Sequence, residues 1–83
     1  MTESQTDELL LPRVSKAFVR AFGRDVPFRP DLDRAHEQRW TSLKHVEFLI
    51  ALEGEFKVRF DGADATDLTS IPAVLTRLRT LTS

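Results

Sequence analysis

Apolar residues recur at helical spacing in three stretches of the chain, residues 9–22, residues 42–56 and the segment after Ser70. Spacings of three and four residues place such side chains on one face of an α-helix. No alternation of apolar and polar positions persists long enough to indicate a strand. The pattern therefore predicts an all-α protein, a small four-helix bundle with three longer helices, one short helix at residues 63–68 and a long first loop.

The first helix and the loop after it are bounded by proline and glycine. Pro12 is tolerated in a first turn, so the helix is expected to begin just before it, after a frayed segment at residues 1–8. Gly23 can take the positive φ that ends a helix. The connection at residues 24–40 is long, and loops of this length in a small domain are often functional. A short helical turn is possible within residues 33–38. The apolar loop residues expected to contact the core are Phe28, Leu32 and Trp40.

Hydroxyl side chains mark the beginnings of the later helices. Thr41 or Ser42 can accept a hydrogen bond from a backbone N–H in the first turn of the second long helix. Thr69 or Ser70 can do the same for the last helix. The pattern alone leaves both choices open.

The second long helix carries two apolar faces. One face is the expected core stripe, formed by Phe48, Leu49, Leu52 and Phe56. Leu43, Val46 and Ile50 fall together on the roughly opposite side, with Glu47 and Glu53 beside them. A surface helix of a small bundle needs only one apolar face, so the second stripe predicts a docking surface for a partner. The alternative is that neighbouring helices cover both faces.

Composition narrows the class of protein. A chain of 83 residues is expected to form one domain, residues 1–83. The net charge of −1 gives no electrostatic footprint for nucleic acid, and without cysteine the chain has no disulfide or thiolate metal site. No apolar run approaches a membrane span and the acidic N-terminus is unlike a secretory signal, so the cytoplasm is the expected compartment. Arg77 and Arg79 on the last helix are expected on a solvated face.

The sequence contains two other groupings of polar residues that could form a site. Ser42 and His45, three residues apart on one helix, could suggest a nucleophile and its base. No third orienting group is evident and the chain is small for a cleft, so no enzyme activity is expected. His36 and His45, together with the acidic residues of 31–37, match no metal-ligand spacing, and no metal is expected.

Residues 40–56 resemble the attachment motif and second helix of acyl carrier proteins. In that family the motif reads Asp-Ser-Leu, followed by Val-Glu-x-x-x-Ala-Leu-Glu-x-x-Phe. The positions in register here are Ser42-Leu43, Val46-Glu47, Ala51-Leu52-Glu53, Glu55 and Phe56. The long first loop and the last helix, introduced by residues 69–71, also resemble the family. The resemblance therefore covers nearly the whole chain and implies an acyl-carrier-like bundle.

The resemblance implies a carrier function. A phosphopantetheinyl transferase would move 4′-phosphopantetheine from coenzyme A onto Ser42, and the thiol of this arm would hold an acyl group as a thioester. The carrier, expected as a monomer, would deliver that group to acyl-loading and acyl-transferring or condensing enzymes. Their pathways would be polyketide, specialised fatty-acid or related biosynthesis. The residues expected to contact partner enzymes are Thr41, Leu43, Val46, Glu47, Ile50 and Glu53.

The chain departs from the family pattern in two respects. Thr41 stands where the family has aspartate, and the whole chain is near neutral where family members are strongly acidic. Weaker electrostatic steering favours a dedicated set of partners. The alternative function is an unmodified helical adaptor that keeps the fold and the docking helix. Thr41 favours the adaptor, whereas Ser42 together with Leu43, Val46 and Glu47 favours the carrier.

Overall fold

Four α-helices and one 3₁₀ helix form the regular structure of residues 3–82, the part of the chain that the computed structural model describes. In chain order they are α1 (Glu3–Phe22), the 3₁₀ helix (Arg34–His36), α2 (Ser42–Phe56), α3 (Gly62–Asp67) and α4 (Ile71–Thr82). Asp33 and Ser70 form an isolated antiparallel bridge, and residues 3–82 contain no named strand. The prediction of an all-α fold with three longer helices and a short one is confirmed.

The described part of the chain is compact. Its Cα radius of gyration is 11.8 Å, about the value of a folded chain of this length. Within residues 3–82, no helix combines the length and the apolar character that crossing a bilayer requires.

Helix α1 begins earlier than its proline predicts. Residues 1–8 were expected to be frayed; Met1 and Thr2 lie outside the described residues, but the chain is helical from Glu3 onward and Pro12 lies inside the helix. The proline ring removes one backbone N–H and normally disfavours a helix interior. The turn before it is held by tertiary contacts, because Asp7 forms an ion pair with Arg79 of α4 and Leu10 is buried in the core.

Aromatic rings from α1, α2 and the first loop form the centre of the core. Phe18 stacks on Phe22 with ring centroids 4.1 Å apart and meets Phe48 edge-on at 5.4 Å. Trp40, at the end of the loop, contacts Phe48 at 5.7 Å. Such offset and edge-to-face pairs add to the stabilisation from burying the rings. The predicted core stripe of α2 is buried as expected: Phe48, Leu49, Leu52 and Phe56.

The first loop is fastened to the core and to the start of α4. Gly23, with φ of 71°, ends α1 as predicted, and the expected helical turn is the 3₁₀ helix. Leu32 O accepts a hydrogen bond from Ile71 N at 2.9 Å, and Arg34 N donates to Thr69 O at 2.8 Å. The loop residues expected in the core are buried or half-buried: Phe28, Leu32 and Trp40, joined by Val26. The loop is therefore a fixed platform beside the start of α2.

The arginines of α4 correct one expectation. Arg77 and Arg79 do not lie on an ordinary solvated face, because both are half-buried ion-pair partners. Arg77 Nε lies 2.8 Å from Oδ1 of the buried Asp64. Burial raises the pKa of Asp64, but hydrogen bonds from Asp61 N–H and the Arg77 guanidinium outweigh it and leave the pKa lowered. Together with the Asp7–Arg79 pair, this contact ties α4 to both α3 and α1.

Candidate functional site

Ser42 is the first residue of α2, and its side chain is exposed. The residue before it, Thr41, is the N-cap: its backbone is extended and its Oγ1 accepts a hydrogen bond from Lys44 N at 3.2 Å. The structure thereby decides between the two hydroxyls that could cap this helix. Ser42 Oγ has no capping role, so a group attached to it need not disturb the helix end.

The hydroxyl of Ser42 has a charged neighbour that sequence reasoning missed. Arg34 Nη2 donates to Ser42 Oγ at 3.0 Å, and Arg34 Nε donates to Trp40 O at 3.1 Å. Arg34 belongs to the 3₁₀ helix of the first loop. No motif marks it in the sequence, because the contact arises from the way the loop folds back over the start of α2.

Trp40 and His45 hold the backbone on either side of Ser42. Trp40 Nε1 donates to His45 Nδ1 at 3.1 Å, and His45 Nε2 lies 2.7 Å from Ala65 O. Because an indole N–H can only donate and a carbonyl can only accept, the hydrogen bonds assign a neutral imidazole with its proton on Nε2. Both nitrogens of the buried His45 are therefore engaged away from Ser42, and the two residues do not form a nucleophile–base pair.

The other histidine lies in the first loop. His36 is exposed, and its Nδ1 lies 2.8 Å from Asp33 Oδ1. The side-chain hydrogen bond with His36 lowers the pKa of Asp33. A polar pocket of about 320 Å³ lies beside this pair, lined by Arg29, Asp31, Leu32, Asp33, His36 and Glu37. Among the residues described, no group of three or more His, Cys, Asp or Glu side chains is arranged to hold a metal ion.

The second apolar stripe of α2 is exposed. Leu43, Val46 and Ile50 are 66%, 53% and 61% accessible. Glu47 flanks the stripe, with its carboxylate 3.9 Å from Lys44 Nζ. The prediction that neighbouring helices leave this face uncovered is confirmed, while its use in docking remains a prediction.

A groove adjoins the stripe along the junction of α1 and α2. Its volume is about 320 Å³, and its lining residues are Arg20, Ala21, Glu47, Ile50, Ala51 and Gly54. Lys44 Nζ donates to Ala21 O at 3.2 Å, which ties the first turn of α2 to the end of α1. The exposed side chain of Ile50 belongs to both the stripe and the groove, so the two form one continuous surface.

The two glutamates predicted beside the stripe have different surroundings. Glu47 is half-exposed and lines the groove. Glu53 Oε2 instead accepts a hydrogen bond from Phe60 N at 2.8 Å, in the connection between α2 and α3. The structure therefore places Glu47 at the candidate docking surface and gives Glu53 an intramolecular partner.

Three comparisons of this chain, with protein-family models, with curated proteins and with solved structures, return no match. The resemblance of residues 40–56 to the carrier motif therefore rests on the sequence pattern.

Proposed function

We propose that this protein is an acyl carrier protein that bears 4′-phosphopantetheine on Ser42. The observation that carries the proposal is an exposed serine hydroxyl at a rigid helix start, relieved of capping by Thr41. Because Thr41 makes the capping hydrogen bond, the Ser42 hydroxyl is not needed for it. The exposed apolar stripe begins at the next residue, Leu43.

The surroundings of Ser42 fit attachment of the group. In the modification step Ser42 Oγ attacks the pantetheine-side phosphorus of coenzyme A, an Oγ–P bond forms, and the P–O bond to 3′,5′-ADP breaks. The hydroxyl proton passes to a base of the transferase, because both nitrogens of His45 are engaged. Once attached, the arm supplies a thiol for acyl groups, which this cysteine-free chain lacks.

The docking surface supports delivery to partner enzymes. Leu43, Val46 and Ile50 extend from Ser42 along about two turns of α2, so a partner contacting them also meets the modified residue. Exposed apolar side chains on a rigid helix suit recognition by a groove or helix of another protein. The proposed partners are a phosphopantetheinyl transferase and the acyl-loading, acyl-transferring or condensing enzymes of polyketide, specialised fatty-acid or related biosynthesis.

Replacement of the family's aspartate by Thr41 is compatible with this proposal. Thr41 Oγ1 makes the capping hydrogen bond that the aspartate could otherwise make. The start of α2 therefore needs no carboxylate to hold its geometry. What the substitution changes is the charge offered to a transferase, so weaker contact with the transferase is the expected consequence.

Intact mass after incubation with coenzyme A and a broad-specificity phosphopantetheinyl transferase tests the proposal. We expect the wild type and Thr41→Ala to gain one phosphopantetheine, and Ser42→Ala to gain none. If Thr41→Asp is modified and the wild type is not, the wild type requires a dedicated transferase. If the wild type and Thr41→Asp are both helical and neither is modified, the result would contradict the carrier proposal and favour the unmodified adaptor.

A further inference from the structure

Arg34 places a guanidinium against the oxygen to which the phosphopantetheine arm would be joined. Its Nη2 donates to Ser42 Oγ at 3.0 Å, while its Nε donates to Trp40 O at 3.1 Å. The remaining N–H groups of the guanidinium have no hydrogen-bond partner among residues 3–82. A guanidinium carries five N–H donors in a planar fork. Donors are therefore available next to the modified oxygen.

Arg34 forms no ion pair with a carboxylate within 4.0 Å in the described part of the chain. Several other arginines pair with a carboxylate within 4.0 Å: Arg13, Arg29, Arg39, Arg77 and Arg79. Among residues 3–82, the guanidinium of Arg34 donates hydrogen bonds only to the neutral oxygens of Trp40 and Ser42. An arginine without a counter-anion is well suited to bind phosphate, whose oxygens match its fork geometry.

The backbone holds Arg34 in this position. Arg34 N donates to Thr69 O at 2.8 Å, which fastens the 3₁₀ helix to the segment before α4. Asp33, the N-cap of that 3₁₀ helix, accepts from His36 N at 2.9 Å. The guanidinium therefore approaches Ser42 from a fixed platform.

We propose, on the basis of the carrier function above, that Arg34 is a phosphate-positioning residue of the modified protein. Its guanidinium donates to the non-bridging oxygens of the phosphodiester on Ser42. It neutralises a negative charge that the modification introduces beside the core. It also fixes the direction in which the first bonds of the arm leave the helix start, which sets the region that the thiol can reach.

Phosphorus NMR of the modified protein tests this role. The wild type, Arg34→Gln and the matched control Arg59→Gln are converted with coenzyme A and the broad-specificity transferase, and conversion is verified by intact mass. Arg59 is an exposed arginine just beyond the opposite end of α2, a helix about 20 Å long that begins at Ser42. The ³¹P shift of each folded protein is compared with that of the same protein unfolded in urea.

We expect the folded wild type and Arg59→Gln to show the same displaced ³¹P resonance. Arg34→Gln loses most of that displacement and gives a narrower line, because its phosphodiester is no longer held. Equal ³¹P shifts in wild type and Arg34→Gln would overturn the role of Arg34 and leave the carrier function intact. Equal losses in Arg34→Gln and Arg59→Gln would also overturn it, because they would indicate a general charge effect.

A second measurement needs no change at Arg34 and so does not depend on the folding of a variant. In the wild type, the Nε–H resonance of Arg34 shifts on conversion to the modified form, whereas that of Arg59 stays in place. A stationary Arg34 resonance would overturn the proposal. If neither the wild type nor Thr41→Asp gains mass on incubation while both are folded, the carrier function is overturned first, and this inference with it.

Discussion

Trp40 and His45 are joined by a buried hydrogen bond, in which the indole Nε1 donates to the imidazole Nδ1 at 3.1 Å. The two residues flank Ser42 in the chain. Trp40 packs against the aromatic core, and His45 Nε2 reaches Ala65 O at 2.7 Å in α3. The backbone at the candidate attachment site is thereby held on both sides by buried groups.

Breaking this hydrogen bond should destabilise the protein. His45→Phe leaves the Trp40 N–H buried without an acceptor, which costs about 2 kcal/mol in the free energy of unfolding. Trp40→Phe also loses buried surface, so the hydrogen bond is isolated by a double-mutant cycle. We expect a coupling energy of about 1 kcal/mol or more between the two positions, measured by urea unfolding. Strictly additive effects would contradict the proposed link.

Thr41 and Ser42 should have opposite effects on stability and modification. Thr41→Ala removes the N-cap of α2 and should lower the free energy of unfolding by about 1 kcal/mol. Ser42→Ala removes no capping bond and should change it by less than about 0.5 kcal/mol. Urea unfolding of the two variants makes the comparison. A larger loss in Ser42→Ala than in Thr41→Ala would show that the serine has a structural role.

The exposed stripe should matter for partner recognition and not for folding. Ile50→Ala should slow modification by the transferase about tenfold at low carrier concentration, because an apolar contact at the centre of an interface is lost. Leu9→Ala is the matched control, since Leu9 of α1 is 63% exposed and Ile50 is 61% exposed. Both variants should keep the melting temperature of the wild type. Equal modification rates for the two variants would indicate that the stripe is not used by this partner.

Glu47 and Glu53 should separate into a docking role and a structural role. Glu53→Ala leaves the half-buried Phe60 N–H without its carboxylate acceptor and should cost about 1–2 kcal/mol in the free energy of unfolding. Glu47→Ala should leave stability within about 0.5 kcal/mol of the wild type. Thermal unfolding measures the first effect, and modification rates should be lower for Glu47→Ala alone. A lower modification rate for Glu53→Ala, together with a loss of stability for Glu47→Ala, would show that Glu53 contacts the partner.

Stability should fall in acid in part through Asp64. The Asp64 pKa is lowered in the folded protein, so the unfolded chain takes up a proton first as the pH falls. The ionised Asp64 carboxylate contributes fully to the free energy of unfolding above the pKa of an unfolded aspartate, about 3.9. This contribution is lost as the pH drops through the lower pKa of the folded protein. The stability difference between the wild type and Asp64→Asn should therefore be about 1 kcal/mol at pH 6 and shrink below about pH 4.

The control for this pH dependence is Asp67→Asn, which changes an exposed carboxyl of the same helix that forms no ion pair in the described structure. Thermal melts of all three proteins at several pH values make the comparison. A difference between the wild type and Asp64→Asn that stays constant from pH 6 to pH 3 would contradict the role of the Asp64 carboxylate.

Local pattern was sufficient to predict the helices and the two faces of α2. Phe48 and Leu52 recur at the spacing of one helical face and are buried, whereas Leu43 and Ile50 recur on the other and are exposed. Gly23 ends α1 because only its missing Cβ makes a positive φ inexpensive. These features depend on residues three or four positions apart, or on a single residue, and a sequence displays such relationships directly.

Contacts between distant segments decided the rest. Pro12 suggested a late start for α1, but Asp7 pairs with Arg79 at the far end of the chain. Thr41 is the N-cap through its own hydrogen bond with Lys44 N, and the first loop, fastened to Thr69, places Arg34 against the Ser42 hydroxyl. The spacing of residues in the chain specifies which face each side chain occupies. Only the packing of the loop and helices determines which charged groups meet across those faces, because these contacts depend on chain segments far apart in sequence.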